Sequence, residues 1–284
     1  MKRAILTLLF ISLIPAILFC ETYVMLDTNI VKEGGIIKVS LRSNEPLKAA
    51  DIIFMNKTYQ AFYKQFNLHD TEYVCTAIIP VPLGTKGLKK MQIKYMLKDG
   101  TEGMKEEKIR VRLMKSATTE INTGKINDEF TDIMAKESKK VKDIQDQITA
   151  IKYDFPFIKP VEGITTGSFG DERDYDSGEA QWRHKGWDIA AKKGTPIHAS
   201  NSGNVVAAGS TVSCGNIVVL DHGAGVYSMY YHMQKIFVNK DLHVVKGDIL
   251  GTVGDTGIAT GPHLHWQINV YKIPVNPKDF LKEF

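Results

Sequence analysis

The stretch "GPHLHW", residues 261–266, sets two histidines, His263 and His265, on either side of a leucine. In a β-strand successive side chains point to opposite faces, so positions i and i+2 share one. Two imidazoles then stand side by side on one face, while Leu264 points the other way, into a core. A metal site needs a third ligand and an opening. "RHKGWDIA", residues 183–190, supplies candidates: His184 and Asp188 lie four residues apart, with Gly186 between them to let the chain bend as it enters a strand. Histidine, aspartate and histidine suit zinc, with two borderline nitrogens, one carboxylate oxygen and a fourth position left for water. Neither Cys75 nor Cys214 sits in a paired-thiol motif, which disfavours a closed, purely structural zinc site.

Working outward, the segment from about 161 to 277 is β-rich and glycine-punctuated. "GNVVAAG", "NIVVLDHG", "YSMYYHM" and "LHWQINV" read as strands of a compact antiparallel sheet, and seven of the eight histidines lie here. "GDTGIATGP", residues 254–262, reads as a glycine-rich loop whose backbone can form the wall of a groove. "GDERDYDSGEAQW", residues 170–182, reads as a second, polar loop beside the site. His222 in "LDHG" is expected to be structural, and His198 and His243 to lie at the surface.

Upstream, residues 22 to about 114 alternate like half-buried strands. "IIKVSLRS" puts Ile37, Val39 and Leu41 on one face, "KKMQIKYML" does so with Met91, Ile93 and Tyr95, and "IRVRLM" with Ile109, Val111 and Met114 or Leu113. "NEP" at 44–46 and "KDG" at 98–100 supply turn chemistry. The expectation is a small β-sandwich, immunoglobulin-like in build. It holds no reactive constellation, and its lone His69 reads as a surface residue. Between the two β regions, apolar residues at Ile126, Phe130, Ile133, Met134, Val141, Ile144, Ile148 and Ile151 mark an amphipathic helix, ended by the prolines of "YDFPFIKP". Asp128 and Glu129 lie in its first turn, where the helix dipole favours acids. The fold class is therefore mainly β: a sandwich-like domain over 21–115, a helical connector over 116–154, and an antiparallel sheet domain over 155–284.

The first twenty residues read as an export signal or anchor: Lys2 and Arg3, then the apolar run "AILTLLFISLIPAILFC" ending at Cys20. Cleavage after Cys20, lipidation at Cys20 and an uncleaved anchor are all open. Export places the chain in the periplasm or cell envelope. The formal net charge of +4 includes Lys2 and Arg3; without them 34 basic residues face 32 acidic ones, which gives no case for nucleic-acid binding. Export permits a disulfide, but Cys75 and Cys214 fall in different domains, so two unpaired thiols are the default.

The segment from Phe155 to Phe280 resembles the catalytic domain of the lysostaphin-like (LytM-type) zinc metallopeptidases, which cleave bacterial peptidoglycan. The resemblance is carried by "FPFIKPVEGITTGSFG" at its start, "RHKGWDIAAKKGTPIHAS" with its H-x-x-x-D, "SGNVVAAG", "GNIVVLDHG", "MYYHM", "KGDILGTVGDTGIATGPHLHW" and "VNPKDF", in that order. It implies that His184, Asp188 and His265 hold one zinc ion, and that His232 of "MYYHM" and His263 are the catalytic pair. It implies a zinc endopeptidase acting on the stem peptides and cross-links of cell-wall peptidoglycan. A carboxypeptidase trimming uncross-linked stems needs the same chemistry. The rival of another class is a non-catalytic envelope scaffold or an activator of wall hydrolases, since some relatives have lost ligands; the five positions kept here favour an enzyme. Envelope partners would meet the chain through residues 21–154.

Overall fold

The computed structural model describes residues 22–63, 73–121, 128–175 and 180–283. The readings of residues 1–20 and of His69 lie outside these. Among the described residues, no helix is long and apolar enough to cross a membrane.

The N-terminal region is a two-sheet sandwich. One sheet runs, in spatial order, Thr22–Leu26, Ile36–Ser43, Tyr73–Pro80, Phe62–Tyr63; the other runs Ile30–Lys32, Glu102–Arg112, Gly87–Leu97, Leu47–Phe54, Lys57–Gln60. Period-two alternation sends Ile37, Val39 and Leu41 from the first sheet and Ile52, Met91, Ile93 and Ile109 from the second into one core, each 0% exposed. Cys75 is buried in that core and free; Cys214, in the other domain, is free as well.

The connector is a helix, Asp128–Asp143, followed by a 3₁₀ turn, Ile144–Asp146. It ends earlier than the apolar period predicts. At Gln147 the backbone becomes extended, and the chain bonds to the 222–224 turn instead of to itself: Ala224 donates to the Thr149 carbonyl and Lys152 to that of His222. Ile148 and Ile151 therefore belong to a strap and not to a helix face. The connector also contributes a short strand, Thr118–Ile121, paired in parallel with Glu172–Tyr175. That second correction has a counterpart downstream. The segment read as a polar loop over 170–182 contains a strand of a hairpin, Glu172–Tyr175 against Ala180–Arg183; strand pairing uses the backbone, so charged residues do not prevent it.

The C-terminal domain is built on one antiparallel sheet, in the order Ile164–Gly167, Trp187–Ala190, His263–Val270, Val226–Ile236, Gly215–Gly223, Gly203–Thr211, His243–Val244, with Pro196–His198, Ile249–Val253 and Ile273–Val275 attached. Its core gathers Trp187, Ile189, Val218, Leu220, Tyr230, Leu264, Trp266, Ile268 and Phe280. Ile36 and Ile78 of the sandwich pack into this same cluster, so the two domains share an apolar seam. A carboxylate closes the seam: Glu33, 3% exposed, accepts from Arg183 at 2.8 Å and from the Met114 backbone N–H at 3.1 Å.

Candidate active site

Strand register brings the sequence-read residues together. Asp188 lies directly opposite His265, and Tyr231 flanks His265 from the other side. His184 precedes its strand and is pinned by both backbone groups, its N–H to the Asp171 carbonyl and its carbonyl to the Gly170 N–H. The outcome is a buried cluster of His184, Asp188 and His265, 4%, 5% and 9% exposed, whose ligand atoms all lie within 4.8 Å of one another. His184 Nε2 is 3.1 Å from Asp188 Oδ1 and 3.0 Å from His265 Nδ1, and His265 Nδ1 is 2.8 Å from Asp188 Oδ1.

Hydrogen bonds on the far sides of the rings decide what these atoms are. His184 Nδ1–H donates to the Ser168 carbonyl at 2.8 Å, which leaves Nε2 a bare lone pair. His265 Nε2–H faces Gln267 Oε1 at 3.4 Å, which leaves Nδ1 bare. Two lone pairs and a carboxylate oxygen thus converge with no proton between them. That is a cation site by its chemistry, and nitrogen ligands at about 2.0–2.1 Å around a tetrahedral ion stand about 3.3 Å apart, close to the spacing here. The group is therefore capable of holding zinc.

Two glycines make room for it. A Cβ on Gly186 would meet His265 Nε2 at 2.5 Å, and one on Gly167 would meet Asp188 Oδ2 at 2.7 Å and the Arg173 guanidinium at 2.5 Å. Arg173 forms an ion pair with Asp188 Oδ2, so one carboxylate oxygen faces the histidines and the other a guanidinium. Burial alone would raise the Asp188 carboxyl; its contacts with the His184 and His265 rings outweigh that and hold it well below the ordinary range. Burial lowers His265, against the pull of Asp188. Tyr231 stacks on the His265 ring, centroids 5.2 Å apart and planes within 3°.

The other two histidines stand beside this cluster. His232 and His263 rings are 4.8 Å apart, and His263 Nε2 is 4.0 Å from Asp188 Oδ1. Each has its Nδ1–H tied to a backbone carbonyl at 2.8 Å, His232 to Thr256 and His263 to Gly261, so Nε2 is the atom each offers to a ligand. His232 has φ +60°, a left-handed conformation uncommon for a side chain of its kind. It sits where its strand leaves the His263–Val270 strand, last paired at Tyr231–His265, and joins Ile249–Val253. Burial, with His263 and His265 nearby, pushes it down to about 3, so it is neutral at physiological pH.

All five residues line one cleft of about 850 Å³. Ile258–Pro262 of the glycine-rich loop form one wall, as read from the sequence. The opposite wall was not legible: the connector helix lays Thr131, Met134, Ser138, Val141 and Gln145 along the cleft. Its Glu137 carboxylate accepts from the Val212 and Ser213 N–H groups at 2.6 and 2.9 Å and clamps the helix to the sheet. Arg173, Tyr231 and Gln267 were also missed, since each touches Asp188 or His265 and carries no metal-binding spacing of its own. Of the remaining histidines, His222 is fully buried, donating from Nδ1 to the Ser202 carbonyl at 2.7 Å, and His243 is exposed. His198 is half-buried, its Nδ1–H bonded to the Gly247 carbonyl at 2.8 Å.

The model of Peptidase family M23 matches residues 182–277. Over 97 residues, 34% of this chain, the sequence is 41% identical to a protein of Neisseria meningitidis serogroup B named DD-carboxypeptidase/endopeptidase Mpg. Over 93 residues it is 42% identical to one of Vibrio cholerae serotype O1 named peptidoglycan DD-endopeptidase ShyA. The match spans 22% of the length of each, about a fifth. Among solved structures, a Pseudomonas aeruginosa chain assigned to peptidase M23 superposes with a TM-score of 0.65 and 26% identity, over 89% of this chain and 95% of that one. The sandwich, connector and sheet thus recur together as a fold.

Proposed function

From the premise that residues 182–277 are an M23 peptidase domain, we propose that this chain is an exported zinc endopeptidase that hydrolyses peptide cross-links of bacterial peptidoglycan. The observation that carries the reading is the convergence of His184 Nε2, Asp188 Oδ1 and His265 Nδ1 in a cleft that also holds His232 and His263. A scaffold has no need for three desolvated acceptors facing one another, which cost stability unless a cation is held there. The peptidoglycan substrate is supported by the names of the two bacterial relatives.

His184, Asp188 and His265 would hold the ion, with Arg173 keeping the carboxylate turned so that only Oδ1 faces the histidines. Bound zinc supplies a Lewis acid for the scissile carbonyl and lowers the pKa of water toward neutrality. The chain's own work falls to the histidine pair. With both Nδ1–H groups committed to backbone carbonyls, His232 and His263 present Nε2 lone pairs to the cleft. Between them they take the proton of the attacking water and return it to the leaving amine, and the protonated form donates to the developing oxyanion. The open cleft between helix and loop accepts an extended peptide.

The Neisseria relative's name carries both carboxypeptidase and endopeptidase, so trimming of uncross-linked stems is the second reading. Mass analysis of muropeptides released by the full chain from purified sacculi separates the two. Cross-linked dimers converted to monomers support the endopeptidase; loss of a single terminal residue from monomers supports the carboxypeptidase; no released product with zinc bound supports the scaffold.

A further inference from the structure

Three of the four histidines at the site are oriented the same way. His184, His232 and His263 each donate Nδ1–H directly to a backbone carbonyl and turn Nε2 to the cleft. His265 is the exception: it turns Nδ1 to the cluster, and its Nε2 faces a side-chain amide, Gln267, whose oxygen and nitrogen can exchange places by rotation. The Nε2–H tautomer of His265 therefore depends on which way that amide is turned.

What decides it lies upstream. Gln267 Nε2 donates to Asn269 Oδ1 at 2.8 Å, Asn269 Nδ2 donates to Gln145 Oε1 at 2.9 Å, and Gln145 Nε2 donates to the Val141 carbonyl at 2.8 Å. Gln145, Asn269 and Gln267 are 3%, 2% and 8% exposed, so their hydrogen bonds are made mainly to one another. A backbone carbonyl only accepts. Gln145 must therefore give it the NH₂ group and show its oxygen to Asn269. Asn269 must answer with NH₂ and show oxygen to Gln267, and Gln267 must then show oxygen to His265. Reversing any one amide would set oxygen against oxygen in a buried chain, at the cost of an unsatisfied pair. Val141 and Gln145 belong to the connector, while Gln267 and Asn269 are on the ligand strand itself.

We propose that Gln145, Asn269 and Gln267 are positioning residues: a relay of fixed polarity, anchored on the connector's Val141 carbonyl, that holds His265 in the Nε2–H tautomer and aims Nδ1 at the metal. The seat of the connector on the sheet thereby sets the metal affinity of the peptidase domain. The inference rests on the zinc-site reading above, but the tautomer it assigns exists without metal.

The test uses the full chain and two readouts: ¹⁵N shifts of the histidine rings in metal-free protein, and zinc affinity by competition with a chromophoric chelator. In the unaltered chain His265 should show a single Nε2–H tautomer. Gln267→Met should leave His265 a mixture of tautomers and weaken zinc about 10- to 100-fold, the usual cost of removing a partner of a ligand. Gln145→Met should act in the same direction by roughly 3- to 10-fold, since it frees the relay without removing its last member. The double variant should bind no more weakly than Gln267→Met alone. The His184 tautomer, fixed by Ser168, should stay constant throughout. Gln267→Glu is isosteric and keeps an acceptor for His265 while losing the donor to Asn269. It should preserve the tautomer and make zinc affinity indifferent to Gln145→Met, and it keeps the test open if Gln267→Met does not fold. An unchanged His265 tautomer in Gln267→Met, or additive losses in the double variant, overturns the relay. If the unaltered chain binds no zinc, the zinc reading fails while the tautomer result still judges the relay.

Discussion

Two strands of eight residues, one in each domain, carry the same alternation and end differently. In Ile36–Ser43, Ile37, Val39 and Leu41 enter the sandwich core, while Lys38, Ser40 and Arg42 face outward and stay in partial or full contact with solvent. In His263–Val270, Leu264, Trp266, Ile268 and Val270 enter the core in the same manner. The opposite face holds His263, His265, Gln267 and Asn269, and the last three are buried as well: Asn269 bonds to Gln145 of the connector, and Tyr231 stacks on His265. Burying polar groups costs free energy unless each finds a partner. The outward face of the sandwich strand avoids that cost by leaving Lys38, Ser40 and Arg42 in contact with solvent. The C-terminal sheet accepts it, and the polar groups on this strand include one member of the cation-capable cluster, His265, and the amides beside it.

Substitutions on the two strands should therefore fail in different ways. His265→Ala should have the largest effect. It removes one of three ligands, so the protein should purify without stoichiometric metal and without detectable peptide-bond cleavage, as read by elemental analysis and a cleavage assay on one preparation. His263→Ala and His232→Ala spare the three ligands. Metal should stay bound while turnover falls by a factor on the order of 10²–10⁴. Metal loss in His263→Ala with retention in His265→Ala would mean that the roles of the two neighbours are exchanged.

Ile93→Ala, in the sandwich core, should cost about 2–5 kcal/mol of stability in denaturant titration, yet leave the metal content of the folded fraction unchanged. Of similar size is an acid effect on the peptidase side. Burial pushes His222 down to about 4, from an ordinary value near 6.5, so the fold favours its neutral form. Its contribution is complete above about 6.5 and is lost as pH falls toward about 4, amounting to on the order of 3 kcal/mol. Metal-free protein should lose stability over that window, and His222→Asn should flatten the slope. Ser40→Ala, on the outward face of the sandwich strand, should change stability by no more than about 0.5 kcal/mol and cleavage not at all.

The same contrast explains what could be read from the sequence. Period-two alternation gave both domains away, because a one-residue slip would turn every side chain to the wrong face. The spacings H-x-x-x-D and H-x-H showed the ligand-capable residues, since those chemistries are local. Partners that reach the site from a distance left no such trace. Arg173 sits in a run of charges that looked like a solvated loop, and it meets Asp188 only because a hairpin folds it back. Gln145 lies 124 residues before Asn269 and looked like one more polar position of an amphipathic helix. The helix itself seemed to run to Ile151, since apolar spacing persists there although the backbone has turned to another partner.

The central claim is that His184, Asp188 and His265 hold one catalytic zinc ion. It is tested most directly by measuring metal content and cleavage of purified sacculi together, on the full chain, as purified, after exhaustive chelation, and after zinc is returned. The account predicts about one zinc per chain, loss of cleavage with the metal, and recovery of both. A chain that carries no metal and cleaves undiminished in strong chelator would contradict it.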